Sequence, residues 1–486
     1  MTSWPYQESA SANTQRTPVE FSLFVTVCFG TIFLACLGFL IFAHLSMPRL
    51  ERIPSPERAL EIITNQVMGL RDGLKQVSDL ERQMMSVVDP TGEELQQCIE
   101  WYSELTEINT DPLSALYLAI LEGEAGQIHA VQMKVHMWKD WALPFPFYSA
   151  VLQAAYLSEE VDPIQAHALQ AQIAEHLPSG WFYRRIALQI AERSHDEGLQ
   201  VSLAAASQRH AQRLVSNNRL LGGAQIMAVM GGLMAMVMLW RRWKWGGAVA
   251  LRVGEVSFPP RWTGGNGVVV LIRGGGIASL LIISLSVTGL DPSVLQFLIP
   301  ISIHIPILGL AYYYLWQPNG LSLRQAVGLK IVEGGWLRVT WFALTLFTLG
   351  VGGGWVIGFF AQNFETSLHW TDWFDPTMIQ GTAWDLLPPL LSYTILAPLF
   401  EELVFRGVLY STLRRYWNAP IAMVVSALIF SLAHGYGTFG LITIFWSGLL
   451  WAWAYEKTGS ILPGMVAHAL NNSLVCATVL LLVRPG

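Results

Sequence analysis

Charged side chains are scarce here: Asp, Glu, Lys and Arg make up 13% of 486 residues, against 52% hydrophobic. Soluble domains carry about a quarter charged residues, so this composition excludes a soluble enzyme and places the chain among integral membrane proteins. The net charge of -6 supplies no basic surface, and no nucleic-acid partner is expected. Only four cysteines occur, Cys28, Cys36, Cys98 and Cys476, without a CxxC pair; three lie in apolar segments and read as buried thiols, not as a disulfide framework or a metal site. No HExxH zinc motif is present. The glycine triplets 274–276 and 352–354 follow no strand, so they read as close-packing or hinge sites and not as phosphate loops.

What is abundant is long apolar sequence. About 20 apolar residues span a bilayer, and nine segments qualify as candidate helices: Phe21 to Leu45, Leu220 to Trp240, Val268 to Val287, Val294 to Trp316, Trp336 to Phe360, Leu386 to Val408, Ala419 to His434, Thr438 to Tyr455 and Ile461 to Val483. The seventh and eighth are short and joined by Gly435-Tyr436-Gly437, which leaves two spans or a re-entrant pair. The first reads as an uncleaved signal anchor. Trp240, Trp316 and Trp451, near segment ends, read as interfacial anchors.

The expected fold is therefore all-α and polytopic, about nine transmembrane helices with an inserted helical soluble domain. Residues 1–20 form a polar tail, 21–45 the anchor, 46–219 the soluble domain, 220–320 further spans, and 321–486 a final membrane core. Within 46–219 charged and apolar residues interleave at helical spacing, and Asp111-Pro112 and Asp162-Pro163 have the form of helix starts. Its short Ala-rich helices resemble tetratricopeptide-type helix pairs without a clean period, and the region is a candidate for binding a protein partner. Basic residues follow the second span (Arg241, Arg242, Lys244), precede the fifth (Arg324, Lys330) and follow the sixth (Arg414, Arg415). The loop 361–385 has Glu365, Asp372, Asp375 and Asp385 without one Lys or Arg. This alternation puts the N-terminus in the cytoplasm and the soluble domain, with the acidic loop, on the far side.

Against this apolar background Glu401 and Glu402 stand out, because a carboxylate in hydrocarbon persists where it faces a protein interior or a water-filled cavity. Later segments add His434, then His468 with Asn471 and Asn472. Measured from the basic edge at 1.5 Å per residue, Glu401, His434 and His468 lie about 20, 21 and 16 Å deep, as one assembled site requires. Glu402 and Arg406 are spaced i,i+4 in the favourable order for an ion pair, which leaves Glu401 without a local partner. Such a carboxylate suits a general base that takes a proton from water and returns it to a leaving amine. His468 and Asn472 are also i,i+4, and both can donate hydrogen bonds to a developing oxyanion. His434 shares a helix face with Phe430.

Glu-Glu-Leu-Val-Phe-Arg (401–406), Phe-Ser-Leu-Ala-His (430–434) and His-Ala-Leu-Asn-Asn (468–472) resemble, in order, the EExxxR, FxxxH and HxxxN motifs of the CPBP family. That family comprises the CAAX prenyl endoproteases and the related bacteriocin-processing, Abi-like, enzymes, and the resemblance runs over roughly residues 321–486. It implies an intramembrane endopeptidase acting on a peptide or membrane-protein substrate, in a bacterial plasma membrane. Glu401 and His434 would activate the attacking water, and His468 and Asn472 would support the oxyanion. Glu402, Arg406, Phe430 and Asn471 would support the site. No cofactor is favoured. Zinc is the alternative, with Glu401, His434 and His468 as its ligands, an unusual set.

Other readings attach to the same residues. A lone intramembrane histidine is more often a packing residue than a catalyst, and His304 and His369 fit that description. Arg273, in the third span, would snorkel or pair with a carboxylate, and membrane asparagines are commonly interhelical glue. Two other function classes remain: a non-catalytic membrane scaffold whose soluble domain binds a partner, and a proton-coupled transporter, which would require an inverted repeat that the sequence does not contain.

Overall fold

A computed structural model describes residues 20–46, 48–79, 81, 94–332, 335–362 and 369–485. Among them every regular element is helical, in accord with the polytopic all-α expectation. Seven helices are long and apolar enough to cross a membrane. They are α1 (Leu23–Ser46), α9 (Glu197–Gly246), α10 (Gly264–Ser286), α11 (Pro292–Ala311, continuing to Trp316), α12 (Gly335–Gln362), α15 (Thr438–Thr458) and α16 (Leu462–Thr478, continuing to Val483). Two of the nine expected spans fall outside this set for different reasons. The helix α14 (Ala419–Leu432) has 14 residues and is too short to cross alone. The sixth segment, α13, begins at Leu387–Leu391 and is helical through Ser411–Leu413, but Ser392–Leu396 and Glu402–Tyr410 are wide π turns.

Between α1 and α9 lie α2 (Pro56–Leu74), α3 (Glu94–Ile108), α4 (Pro112–Glu124), α5 (Ile128–Trp138), α6 (Phe145–Leu152), α7 (Pro163–His176) and α8 (Trp181–Arg193). Both Asp-Pro pairs start helices, for the expected reason. Asp111 accepts a hydrogen bond from the Ser114 amide and Asp162 from those of Ile164 and Gln165, while proline fills the first helical position, where no donor is needed. Leu60, Ile63, Tyr102, Ile120, Val151 and Ile186 are buried in the domain's core, with Tyr117 stacked on Phe182 at 3.9 Å. No helix end marks position 219: α9 runs through it for 50 residues, about 75 Å, from the domain into the membrane.

The same apolar core takes in Trp370, Phe374, Met378 and Ile379 from the acidic loop and Val479 beyond α16, with Leu386, Leu390 and Tyr393 packed against it. The domain therefore sits on one end of α13 and α16. His369, read as a packing residue, ties this junction together: Nε2 lies 3.1 Å from Glu104 Oε2 in α3 and Nδ1 lies 2.7 Å from the Thr371 hydroxyl. Glu365 lies outside the described residues. At the opposite end Arg414 pairs with Glu456 at 3.0 Å.

The glycine triplets are contact points. A Cβ at Gly275 or Gly276 would strike Phe33 or Phe29 of α1, and one at Gly353 would strike Trp446. Arg273 holds α1 as well, donating to Thr26 Oγ1 (3.0 Å) and the Ser22 carbonyl (2.7 Å).

Candidate active site

The Glu-Glu-Leu-Val-Phe-Arg run lies at the junction of a regular turn, Ala397–Glu401, and the wide turn Glu402–Tyr410. There Glu402 and Arg406 form a buried ion pair, Nη1 to Oε1 2.8 Å, each side chain 1% exposed. A second guanidinium nitrogen donates to the Gly448 carbonyl (3.3 Å), and the cation lies over the rings of Phe430 (4.4 Å) and Trp451 (5.1 Å). The charge is thus met by a carboxylate, a carbonyl and two aromatic faces. Gly464 of α16 abuts the outer oxygen, since a Cβ there would sit 3.2 Å from Glu402 Oε2.

Glu402 also reaches His468, Oε1 to Nδ1 3.3 Å, a contact that spacing within one helix does not reveal. A carboxylate accepts, so Nδ1 carries a proton, and the ring turns its Nε2 towards Glu401. That Nε2 lies 3.8 Å from Glu401 Oε2. His434, just past the end of α14, is arranged in the same sense. Its Nδ1 donates to the Phe430 carbonyl (2.8 Å), and its Nε2 lies 3.8 Å from the same Glu401 oxygen. Glu401 Oε2 is buried and bonded to no donor among the described residues. Three polar atoms therefore converge, and each gap at Glu401 is too wide for a direct hydrogen bond. A water about 2.8 Å from two such atoms bridges that distance. The two carboxylates and one guanidinium give a formal charge of -1 while both imidazoles are neutral; one bound proton brings it to zero.

Trp451 is not an interfacial anchor. It is 5% exposed and stacks on the His468 ring, centroids 4.1 Å apart and planes 19° apart, so that it fixes the imidazole plane while Glu402 fixes its rotation. Trp316 is likewise buried, and of the three only Trp240, 55% exposed, keeps the anchor reading. Phe430 packs edge-on to His434 (4.7 Å), and His304 of α11 is buried against Phe400, the residue before Glu401.

The two asparagines make contacts with neighbouring helices. Asn471 faces α12, its Oδ1 3.9 Å from where a Gly350 Cβ would be. Asn472 donates from Nδ2 to the Tyr393 carbonyl, 2.8 Å. The cause lies in the wide turn. The Ala397 amide bonds to Ser392 five residues back, so Tyr393 would be served by residue 398. That residue is Pro398, which has no N–H, and the Asn472 amide takes its place. Tyr393 also donates its hydroxyl to Asp375 (2.7 Å), which receives Gln296 Nε2 as well (2.7 Å), so α11, α13, α16 and the acidic loop meet at one tyrosine.

Zinc can be tested against these positions. Glu401, His434 and His468 offer the right atom types, and the Phe430 carbonyl and Glu402 are partners of the kind that orient ligating histidines. Bonds of about 2.0–2.1 Å at tetrahedral angles give a ligand-to-ligand edge of about 3.3 Å, shorter than the 3.8 Å found at Glu401. Among the described residues no group of three His, Cys, Asp or Glu side chains has metal-holding geometry. The residues as placed do not fit zinc.

Fold and site define a polytopic α-helical membrane protein with a buried Glu/His cluster shared by three helical segments. Within it, residues 383–474 match the family described as type II CAAX prenyl endopeptidase, Rce1-like, which bears out the resemblance carried by the motifs. The matched segment holds Glu401, Glu402, Arg406, His434, His468 and Asn472 and is narrower than the expected 321–486. A curated relative from Escherichia coli, described as an uncharacterized 24.3 kDa protein, is 33% identical over 94 residues, or 18% of this chain. The chain spans 43% of that relative's length. No solved structure matches the chain.

Proposed function

We propose that this chain is an intramembrane endopeptidase that hydrolyses a peptide bond with a glutamate-activated water. The observation that carries the reading is Glu401 Oε2, buried, without a donor among the described residues, and 3.8 Å from the Nε2 atoms of both His434 and His468. Water held here donates one hydrogen to Glu401 and the other to His434 Nε2, whose tautomer the Phe430 carbonyl sets. Its free lone pair faces the substrate carbonyl. As oxygen attacks, Glu401 takes the proton, and the charge that develops on the carbonyl oxygen is met by His468 Nε2–H in the charge-neutral state of the site. Glu402 at Nδ1 stabilises that imidazolium. Collapse of the tetrahedral intermediate breaks the C–N bond, and Glu401 returns its proton to the amine. The products are a new carboxyl terminus and a new amino terminus. Asn472, with its amide on the Tyr393 carbonyl, holds α16 against α13 in register and leaves the oxyanion to His468.

The reaction is read as metal-independent on the 3.8 Å spacing, and zinc held by Glu401, His434 and His468 is the second reading. The test is cleavage of a peptide library by the detergent-solubilised protein, comparing wild type with Glu401→Gln, each with and without a strong zinc chelator. The expected outcome is cleavage lost in the variant and indifferent to chelator. Loss on chelation would replace the glutamate mechanism with the zinc one. No cleavage by wild type would favour a scaffold whose helical domain binds a partner.

A further inference from the structure

A cleft of about 350 Å³ opens in the helical domain between α2, α8 and α9, within the range of small-ligand sites. Trp181, Leu188 and Ala204 give it apolar walls, and Arg184 and His210 give it a polar end. The charges around it do not balance. Lys75 is paired with Asp72, whose other oxygen accepts from Trp181 Nε1 (2.8 Å), and Arg185 is paired with Glu124. The Arg184 side chain makes no ion pair or hydrogen bond among the described residues, and its Nε is buried without a partner there. Burial holds its guanidinium below the ordinary value. Asp72 acts on it from a distance but is already engaged by Lys75 and Trp181, and a guanidinium partly stripped of water without a direct carboxylate partner is where an external anion gains most.

His210 adds a second unmet atom. One ring nitrogen is held by the Asn65 backbone, and Nε2 is buried without a partner. Gly69 permits this arrangement, because a Cβ there would lie 2.8 Å from the ring. Burial, then Arg184, then Arg213, hold this imidazole below its ordinary value, and of the two guanidiniums Arg184 lines the cleft.

We propose that this cleft binds the carboxyl terminus of a peptide, the carboxylate on Arg184 and an apolar terminal side chain against Trp181 and Leu188. A cleft of this size admits the end of an extended chain and no folded partner. The hydrolysis proposed above creates such termini, and to that extent the assignment of a peptide, as opposed to another anion, rests on that reading.

The test uses full-length Glu401→Gln protein in detergent, so that cleavage cannot obscure binding, and fluorescence anisotropy of a labelled pentapeptide ending in leucine. Expected is saturable binding that weakens at least 10-fold when the peptide is C-terminally amidated. The added substitution Arg184→Gln, or Ala204→Trp, which blocks the cleft from its exposed rim, should produce the same loss. Equal affinity for acid and amide, or undiminished binding in both variants, would overturn the proposal. Displacement of the probe by inorganic phosphate at lower concentration than by unlabelled peptide would overturn it in favour of a phosphate site. Peptide cleavage by wild type is read separately, so each reading can fail alone.

Discussion

Replacing Glu402 with glutamine keeps the shape of the side chain and removes its charge, leaving the Arg406 cation buried at 1% exposure. Breaking a buried pair by removing one partner costs about 3–5 kcal/mol, because the surviving charge is uncompensated. The faces of Phe430 and Trp451, at 4.4 and 5.1 Å, remain and return up to about 2 kcal/mol. The net expectation is a loss of about 1–5 kcal/mol. Glu402→Gln combined with Arg406→Met removes both charges and should recover most of that loss, giving a favourable coupling of at least about 2 kcal/mol in a double-mutant cycle. Stability is measured by titrating the purified protein in mixed micelles with sodium dodecyl sulfate and following helicity and tryptophan fluorescence. A single variant within about 0.5 kcal/mol of wild type, or a double variant no better than the worse single one, would refute the argument. In the stable double variant a neutral amide oxygen replaces the carboxylate that faces His468 Nδ1, so its peptidase activity should fall about 10–100-fold, the usual effect of weakening an orienting partner.

Asn472→Leu leaves the Tyr393 carbonyl without a donor, which costs about 1–3 kcal/mol of stability in the same titration; a change confined to kcat with stability intact would instead make Asn472 an oxyanion donor. Glu104 tests the junction of the domain with the acidic loop. The hydrogen bond from His369 holds its carboxyl below the ordinary value, so the contact stabilises docking above the unfolded value and loses that contribution as pH falls through the lower, folded one. Limited proteolysis of residues 369–385 should accelerate on acidification below about pH 4. Glu104→Gln should flatten this dependence; an identical acid response in that variant would remove the role assigned to the pair.

The spans set by length and hydropathy were legible, to the residue for Val294–Trp316, as were both Asp-Pro helix starts. The site was legible in its chemistry: an unpartnered glutamate and two histidines at matching depth do converge. What stayed hidden has physical causes. A wide turn leaves no mark on a 3.6-residue periodicity, and the cue in α13, Pro398 opposite an asparagine on another helix, is readable only once that helix is placed. The ring of Trp451 and the carboxylate of Glu402 meet His468 across 17 and 66 positions of chain, beyond any local pattern. The limit at 219 marked a change of polarity, and polarity changes there while the helix continues.

That continuous helix has a mechanical consequence. Residues 204–211 of α9 line the cleft, and 28 positions after Ala204 Gly232 lies against Thr348 of α12 so closely that no Cβ fits. At 1.5 Å per residue these two points are about 42 Å apart on one rod without proline. A guest that wedges α2 from α9 therefore cannot be accommodated by a local shift of the wall. The rod must tilt or slide as a body. A tilt of about 5° would carry the far point by about 4 Å, so inter-residue distances across α9 and α12 become a gauge of what occupies the domain outside the bilayer.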